Sequence, residues 1–334
     1  MDVTPPTPAA IAAAHEALRG LARTTPTIDW DTPELRRRLG AGTRVTLKLE
    51  QLQHTGSFKV RGAFTVMRAL TAEQLRRGVP AASAGNHAMA VAHAAARLGT
   101  HAKVAMPGTA DPMRIERTRA LGAEVVLRPD IAAAFAEAQR LADEEGRTFV
   151  HPFEGPGIAL GTATLGREFH LQAPDLDALV VPVGGGGLAA GVAAAVKQLA
   201  PHVEIHGVEP LGADSMTRSL ATGAPQRIDK VATIADSLGS PTALPHSFAL
   251  CQRFLDGIVQ VSDDELCEAM ALHFTESKLL VEPAGAATAA ALLGPLRERL
   301  AGRHVGLIVC GANVAPHLHA QYVARGMERL RARS

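Results

Sequence analysis

The sequence predicts an α/β protein in which open, mostly parallel sheets are flanked by helices and a small domain is inserted into a larger one. Three observations carry this. Strand-length apolar runs alternate with helical patterns along nearly the whole 334-residue chain. Helices stop at glycines, and the strands are short continuous apolar runs, as expected of βαβ units whose sheet is covered on both faces. The β-α-β-α run from about 79 to 146 reads as a self-contained unit.

The elements follow in order. Residues 8–22 are alanine-rich and helical, 45–49 alternate like a strand, and 58–77 read as one helix. A short buried strand at 79–82 precedes a helix over 86–98 that stops at Gly99. Residues 101–106 form a strand closed by Pro107-Gly108, 111–121 a helix ending at Gly122, and 124–127 a strand. A helix over 131–145 ends before Gly146. Residues 179–183 form a strand that runs into four glycines and then a helix to Ala200, with further strands at 204–208 and 305–309.

Composition narrows the function. Hydrophobic residues are 47% and charged residues 20%, enough apolar side chain for a large core in about two domains. The net charge of +1 gives no field for nucleic acid or an anionic membrane, and 3% aromatics leave little for base stacking. No apolar run approaches the roughly 20 residues of a membrane span. The start, Met1-Asp2-Val3-Thr4-Pro5-Pro6, lacks the pattern of a signal peptide. Cys251, Cys267 and Cys310 are a sparse, odd set without a CxxC pair, which fits a reducing cytoplasm and no disulfide framework or zinc site. Only six of the 34 basic residues are lysine (48, 59, 103, 197, 230 and 278). Arginine fills the solubilising role here, so a lysine in an unusual setting calls for its own explanation: it alone of the two yields a nucleophilic amine.

Three segments join a strand to a helix. In His54-Thr55-Gly56-Ser57-Phe58-Lys59-Val60-Arg61, Lys59 falls in the first turn of a helix, where the dipole disfavours an ammonium; the plain alternative is a solvent-facing lysine after a cap. In Val183-Gly184-Gly185-Gly186-Gly187-Leu188, four glycines let backbone N–H groups converge on an anion, a phosphate being the natural guest. The competing readings are a flexible turn, or a dinucleotide loop with Glu204 as its ribose acid. In Ala82-Ser83-Ala84-Gly85-Asn86-His87, free N–H groups with Ser83 and Asn86 offer a place for a carboxylate; the alternative is an ordinary helix cap. His317 and His319, read as two residues of a strand, point to opposite faces and are surface residues.

Together these segments resemble the pyridoxal-phosphate enzymes of fold type II, the tryptophan synthase β-like family. They are most similar to its serine/threonine dehydratase branch, which includes serine racemase. The resemblance runs from about 42 to 316 through His151-Pro152-Phe153, Gly207-Val208-Glu209-Pro210, Thr233-Ile234-Ala235-Asp236, Val261-Ser262-Asp263, Glu282-Pro283-Ala284-Gly285 and Cys310-Gly311-Ala312-Asn313. It implies two open twisted, mostly parallel sheets: a large cofactor-binding domain over 1–70 and 152–334, and a small substrate-closing domain over 71–151. The implied cofactor is pyridoxal 5'-phosphate, held covalently through its aldehyde by Lys59, the one catalytic residue assigned. Phe58 packs on its ring, Gly184, Gly185, Gly186, Gly187 and Leu188 hold its phosphate, Asn86 meets its ring hydroxyl and Cys310 faces its nitrogen. Ser83, Ala84, Gly85, Asn86 and His87 frame the substrate carboxylate. The implied protein is a cytoplasmic homodimer acting on a small amino acid, with no nucleic-acid or membrane partner.

The implied reaction is dehydration and deamination of L-threonine or L-serine to a 2-keto acid and ammonia. The alternative within the family is a bulkier or acidic substrate, phenylserine or 3-hydroxyaspartate; racemisation or a nicotinamide-dependent oxidoreductase are further alternatives. Ala84 stands where the racemase has a second serine that protonates the far face of the carbanion, which favours elimination. Glu209, Ala213 and Ser215 stand at the racemase's cation site with one carboxylate missing, a poor cage, so no metal is assigned. Gly161-Thr162-Ala163-Thr164 and Asp236-Ser237-Leu238-Gly239 depart from the branch pattern, and both are expected near the pocket. The chain ends soon after Asn313, so no C-terminal regulatory region and no isoleucine feedback through one are expected.

Overall fold

The computed structural model describes residues 3–40 and 42–332. Met1 and Asp2, which head the segment without a leader pattern, lie outside them, as do the outermost residues of the predicted large domain. Among the described residues nine strands form two sheets: β1 (Thr27–Asp29), β2 (Arg44–Leu49), β3 (Val79–Ala82), β4 (Ala102–Pro107), β5 (Glu124–Arg128), β6 (Ala178–Pro182), β7 (Glu204–Pro210), β8 (Gly257–Val261) and β9 (His304–Val309). The larger sheet has the order β1-β2-β9-β6-β7-β8, and the smaller, β3-β4-β5, is formed wholly from the predicted inserted run. Every pairing is parallel except that of the edge strand β1 with β2. β6 and β9 are buried at every residue, which is why they read as unbroken apolar runs. Parallel strands put all their C-terminal ends on one edge of a sheet, where loops to the following helices gather.

Two helices fix the centre of the larger unit. Pro156–Gln172 and Gly187–Leu199 cross so closely that a Cβ on Gly191 would lie 2.0 Å from Thr162 Oγ1 and 2.3 Å from the Ala159 carbonyl. The crossing is therefore set by glycine, and Thr162 Oγ1 donates to the Gly187 carbonyl at 2.8 Å, tying one helix to the start of the other.

The sequence expectations are corrected in places. The helix read over 8–22 ends at Ala17. The helix read over 58–77 is two, Lys59–Arg68 and Ala72–Arg77, because Thr71 and Gln74 form a capping box that starts the second. His317 and His319 belong to the helix Pro316–Ala332, not to a strand; two positions on a helix are about 200° apart, so they still face nearly opposite ways, but only His317 is exposed and His319 is buried, not a surface residue.

A buried ionic knot ties β2 to the helix that begins at Lys59. Lys48 Nζ donates to the Thr25 carbonyl, Glu168 Oε1 and Gln172 Oε1, each at 2.6 Å. Arg61 forks onto Glu50 (2.8 and 2.9 Å) and onto Glu168 (2.9 and 3.1 Å). Two cations meet two carboxylates, all buried, so the set is neutral and nearly every donor is taken. Arg61 lies two residues after Lys59, so the knot anchors the first turn of that helix.

Candidate active site

The loops after β2, β3, β6 and β9 close around one cavity of about 590 Å³. Phe58, Lys59, Ser83, Ala84, Gly85, Asn86, His87, Gly184, Gly185, Gly186, Gly187, Leu188 and Cys310 all line it, so every residue named from sequence for cofactor or substrate comes to one place. Glu209, Ala213 and Ser215 do not line it.

Lys59 opens the helix Lys59–Arg68, and its side chain is half-buried. Its Nζ donates to the Pro152 carbonyl at 2.7 Å and stands 5.1 Å from the Phe58 ring centre. Burial pulls its pKa down to about 8, against the opposing pull of Cys310 and Glu282. Desolvation therefore supplies the free amine that the sequence reading ascribed to the helix dipole.

The glycine loop leads into the helix Gly187–Leu199, and Gly186 has φ +88°, a left-handed conformation. Among the described residues, no acceptor takes the backbone N–H groups of Gly184, Gly185, Gly186 or Gly187. A Cβ on Gly185 would lie 2.3 Å from the Phe153 ring, one on Gly186 2.6 Å from Met216 Cε, and one on Gly187 2.4 Å from the Phe153 carbonyl. The glycines are needed so that Phe153 and Met216 can pack against the loop. Ser247 Oγ fixes Phe153 in turn by donating to its carbonyl at 2.7 Å. The dinucleotide alternative fails on register. Glu204 pairs with Ala178 at the start of β6, the end of the sheet away from the glycines, and is bound there by Arg299 and Arg303.

Asn86 begins the helix Asn86–Leu98 and is the hub of a network the sequence did not reveal. Its Nδ2 donates to Glu282 Oε1 at 2.8 Å and to Ser237 Oγ at 3.3 Å, and its Oδ1 accepts from Asn313 Nδ2 at 2.7 Å. Glu282 also accepts from the Asn313 N–H at 2.8 Å. Burial raises its pKa to about 7, although Arg114 opposes this. Arg114, also buried, donates to the Asn313 carbonyl and forks onto Asp236. Glu282, Arg114 and Asp236 all line the cavity. Only Glu282-Pro283 and Asp236, as pieces of longer motifs, gave any sequence signal for them.

Ser83 Oγ accepts from the Gly85 N–H at 3.0 Å and shapes its own turn. The His87 ring is joined to the Val150 carbonyl at 2.8 Å, and burial holds its pKa down to about 3, so it is neutral. What His87 offers a carboxylate is thus its main-chain N–H at a helix start. Burial raises the Cys310 thiol well above its ordinary range, so it too is neutral. Of the two departing stretches, 236–239 lines the cavity, while 161–164 lies within the helix Pro156–Gln172, one layer behind it, where Thr162 donates to the carbonyl of the cavity-lining Gly187. Glu209 spends its carboxylate on the start of the helix Ser215–Thr222, accepting from Met216 N, Thr217 N and Thr217 Oγ1 at 2.7 to 2.9 Å.

A half-buried amine and a helix-start loop of unpaired N–H groups in one cavity define a protein that holds an aldehyde and a phosphate together. The chain belongs to the family described as pyridoxal-phosphate dependent enzyme, whose profile matches residues 18–311. It is 49% identical over 323 residues to a phenylserine dehydratase of Ralstonia pickettii, covering 97% of this chain and 98% of that one. It is 38% identical to an L-threonine ammonia-lyase of Thermotoga maritima, covering 86% of this chain and 71% of that protein. The processed form of threonine deaminase isoform 2 from Solanum lycopersicum has the same fold, with a TM-score of 0.88, 34% identity, and 97% and 96% of the two chains covered.

Pyridoxal phosphate is the cofactor of this family, and the cavity passes the test of fit. Lys59 has an amine to bind its aldehyde. The N–H groups before the 13-residue helix Gly187–Leu199 can take its phosphate. The neutral Cys310 offers a polar edge for its ring, while both Asn86 amide hydrogens are already given to Glu282 and Ser237.

Proposed function

We propose that the chain is a lyase that eliminates the hydroxyl of a β-hydroxy amino acid and releases a 2-keto acid and ammonia. L-threonine, L-serine and phenylserine all present the reacting atoms. Overall, R–CH(OH)–CH(NH3+)–COO− becomes R–CH2–CO–COO− and NH4+; one water is lost in the elimination and one is taken up when the released enamine hydrolyses. Bound pyridoxal phosphate supplies an aldehyde for the substrate nitrogen and an electron-withdrawing ring that acidifies the Cα proton.

The protein supplies the remainder. Lys59 binds the cofactor at rest and, freed by the substrate, takes the Cα proton on Nζ; a pKa of about 8 leaves part of the population as neutral amine near pH 7. The N–H groups of Asn86 and His87, at the start of their helix, orient the substrate carboxylate, and those of Gly184 to Leu188 hold the phosphate. Ala84 offers no hydroxyl to return a proton on the far face, so elimination prevails over racemisation. Cys310 is a neutral thiol and gives the ring nitrogen no anionic partner.

Residues 71–151 are proposed to close on the substrate as a unit, with 1–70 and 152–334 as the cofactor-binding body. The single-sheet origin of β3, β4 and β5 supports this. A cytoplasmic homodimer is proposed from the family resemblance. Three free, buried cysteines suit a reducing compartment, and no described helix is long and apolar enough to cross a membrane.

The observation that carries the function is Lys59, an amine with one carbonyl acceptor in the cavity of the unpaired glycine N–H groups. The test is a keto-acid assay of the purified, yellow protein with L-serine, L-threonine, phenylserine and 3-hydroxyaspartate. Keto acid and ammonia in equal amounts from at least one are expected. A colourless protein that binds NADH and releases no keto acid from any of them would overturn the proposal.

A further inference from the structure

The chain is poor in aromatic residues, with nine phenylalanines, one tryptophan and one tyrosine. Even so, three phenylalanines, Phe58, Phe135 and Phe153, line the one cavity. Two of them have other duties. Phe153 packs under the glycine loop, where a Cβ on Gly185 would meet its ring at 2.3 Å. Phe58 stands beside Lys59. Phe135, on the helix Ile131–Glu145, is left over.

Its position is fixed. Phe135 packs with Ala82, which directly precedes the segment 83–87 proposed for the substrate carboxylate. Phe149 meets it edge-on at 6.2 Å, and His151 lies 5.6 Å from it, itself edge-on to Phe153 at 4.7 Å. His151 Nδ1 accepts from the Glu154 N–H at 2.9 Å, so this part of the surround carries no charge demanding a polar guest. Ile131, one turn earlier, is 38% exposed, and of the exposed large apolar residues described it alone lines the cavity. An exposed isoleucine beside a held phenyl ring makes a surface that water covers poorly and an aryl group covers well.

The cations of the wall do not invite a second carboxylate. Arg114 is already bound to Asp236 and to the Asn313 carbonyl. Lys230 is solvent-exposed beside Asp229 at the cavity's rim. Lys59 is committed to the chemistry.

We propose that Phe135 and Ile131 form the seat for an aryl group on the substrate's Cβ, making the enzyme selective for aryl β-hydroxy amino acids over threonine and over acidic ones. This rests on the elimination proposed above. Even one methylene in an apolar pocket discriminates roughly 10- to 200-fold, so a partly covered aryl group is expected to reach that range.

The test uses the holoenzyme, with kcat/KM for phenylserine, L-threonine and 3-hydroxyaspartate, and calorimetric binding of L-phenylalanine and L-alanine, which have no hydroxyl to lose. The wild type is expected to favour phenylserine over threonine at least tenfold and to bind L-phenylalanine more tightly than L-alanine. Phe135→Ala is expected to cut the phenylserine-to-threonine ratio at least tenfold, mostly through KM, and to narrow the gap between the two ligands. Phe135→Leu is expected to retain much of both, and Ile131→Ala, at an exposed position, to move them in the same direction by less. Equal losses for phenylserine and threonine in Phe135→Ala and Ile131→Ala, or a wild type that prefers threonine or 3-hydroxyaspartate, would overturn the aryl seat. Turnover of none of the three with L-phenylalanine still preferred in binding would instead sink the elimination and leave the seat standing.

Discussion

Lys48 and Lys59 are close in sequence and both are withdrawn from solvent, yet their surroundings differ in kind. Lys48, at the end of β2, gives its three hydrogens to three oxygens, one of them a carboxylate. Lys59, in the cavity, has one carbonyl acceptor. A third base extends the series: His273 is fully buried, stacked on Trp30 at 4.7 Å, with neither ring nitrogen hydrogen-bonded. Burial alone therefore does not decide whether a basic group is structural or reactive. The number and charge of its acceptors do. Saturated, it is a fastener; with one neutral acceptor beside a cavity, it is an available amine; with none, it stays unprotonated.

The comparison breaks most visibly if the lysines are removed one at a time. Lys59→Ala is expected to lower kcat on the order of 1000-fold or more while leaving the circular dichroism spectrum and the unfolding midpoint near wild type. Substantial turnover in that variant would end the assignment. Lys48→Met is expected to do the reverse. Glu50 and Glu168 would then share Arg61 alone, an uncompensated buried charge that costs about 3–5 kcal/mol in urea unfolding. The cofactor should still bind to the folded fraction. A midpoint unchanged by Lys48→Met would show that the knot is not a fastener.

His273 sharpens the series through pH. Burial holds its pKa down to about 4, against about 6.5 in an unfolded chain. Its contribution is fully present above pH 6.5. As pH falls below that value the unfolded chain takes up the proton first, and stability is lost until the folded protein also titrates near 4. The loss over that window is about 3 kcal/mol. His273→Phe keeps a ring on Trp30 and removes the titration, so its stability relative to wild type should rise as pH falls from 7 to 4. A pH-independent difference would contradict a buried neutral imidazole.

The glycine loop gives a smaller effect. At Gly186, φ is +88° and a Cβ would meet Met216. Gly186→Val is expected to weaken cofactor binding more than tenfold, beyond about 1.4 kcal/mol, by moving the loop whose N–H groups hold the phosphate. Unchanged affinity would move the phosphate elsewhere. The smallest effect expected is at Ala84. Wild type with L-serine should give pyruvate and little D-serine, and Ala84→Ser should raise the D-serine fraction on chiral chromatography. Abundant D-serine from the wild type would mean that another group supplies the acid.

What could be read from sequence was local. The Thr-Gly-Ser-Phe-Lys turn, the four glycines and the 83–87 loop each sit at one strand-to-helix junction; the first two share an edge of the larger sheet and the third lies at the end of β3 in the smaller one. The apolar runs of β6 and β9 were legible because every residue is buried. The partners were not legible, because they are remote: Asn86 meets Glu282 across 196 residues, Arg114 meets Asp236 across 122, and Lys48 meets Glu168 across 120. No period or motif links such positions. β1, three residues long and antiparallel at an edge, is too short to show a pattern. The break between the helices at 59–68 and 72–77 hid behind a continuous helical pattern, and only the Thr71 cap marks it. The close approach of Phe153 and Met216 to the loop glycines was not legible either, because both side chains come from distant segments.

Burial frees the Lys59 amine and its single neutral acceptor leaves that amine available, whereas Lys48 is held by three oxygens. The most direct test is borohydride reduction of the native holoenzyme, followed by proteolysis and mass spectrometry of the pyridoxyl-bearing peptide. The reduced cofactor should appear at full stoichiometry on the peptide carrying Lys59, with Lys48 unmodified in the same digest. A pyridoxyl group on Lys48 or Lys278, or one shared among several lysines, would contradict it.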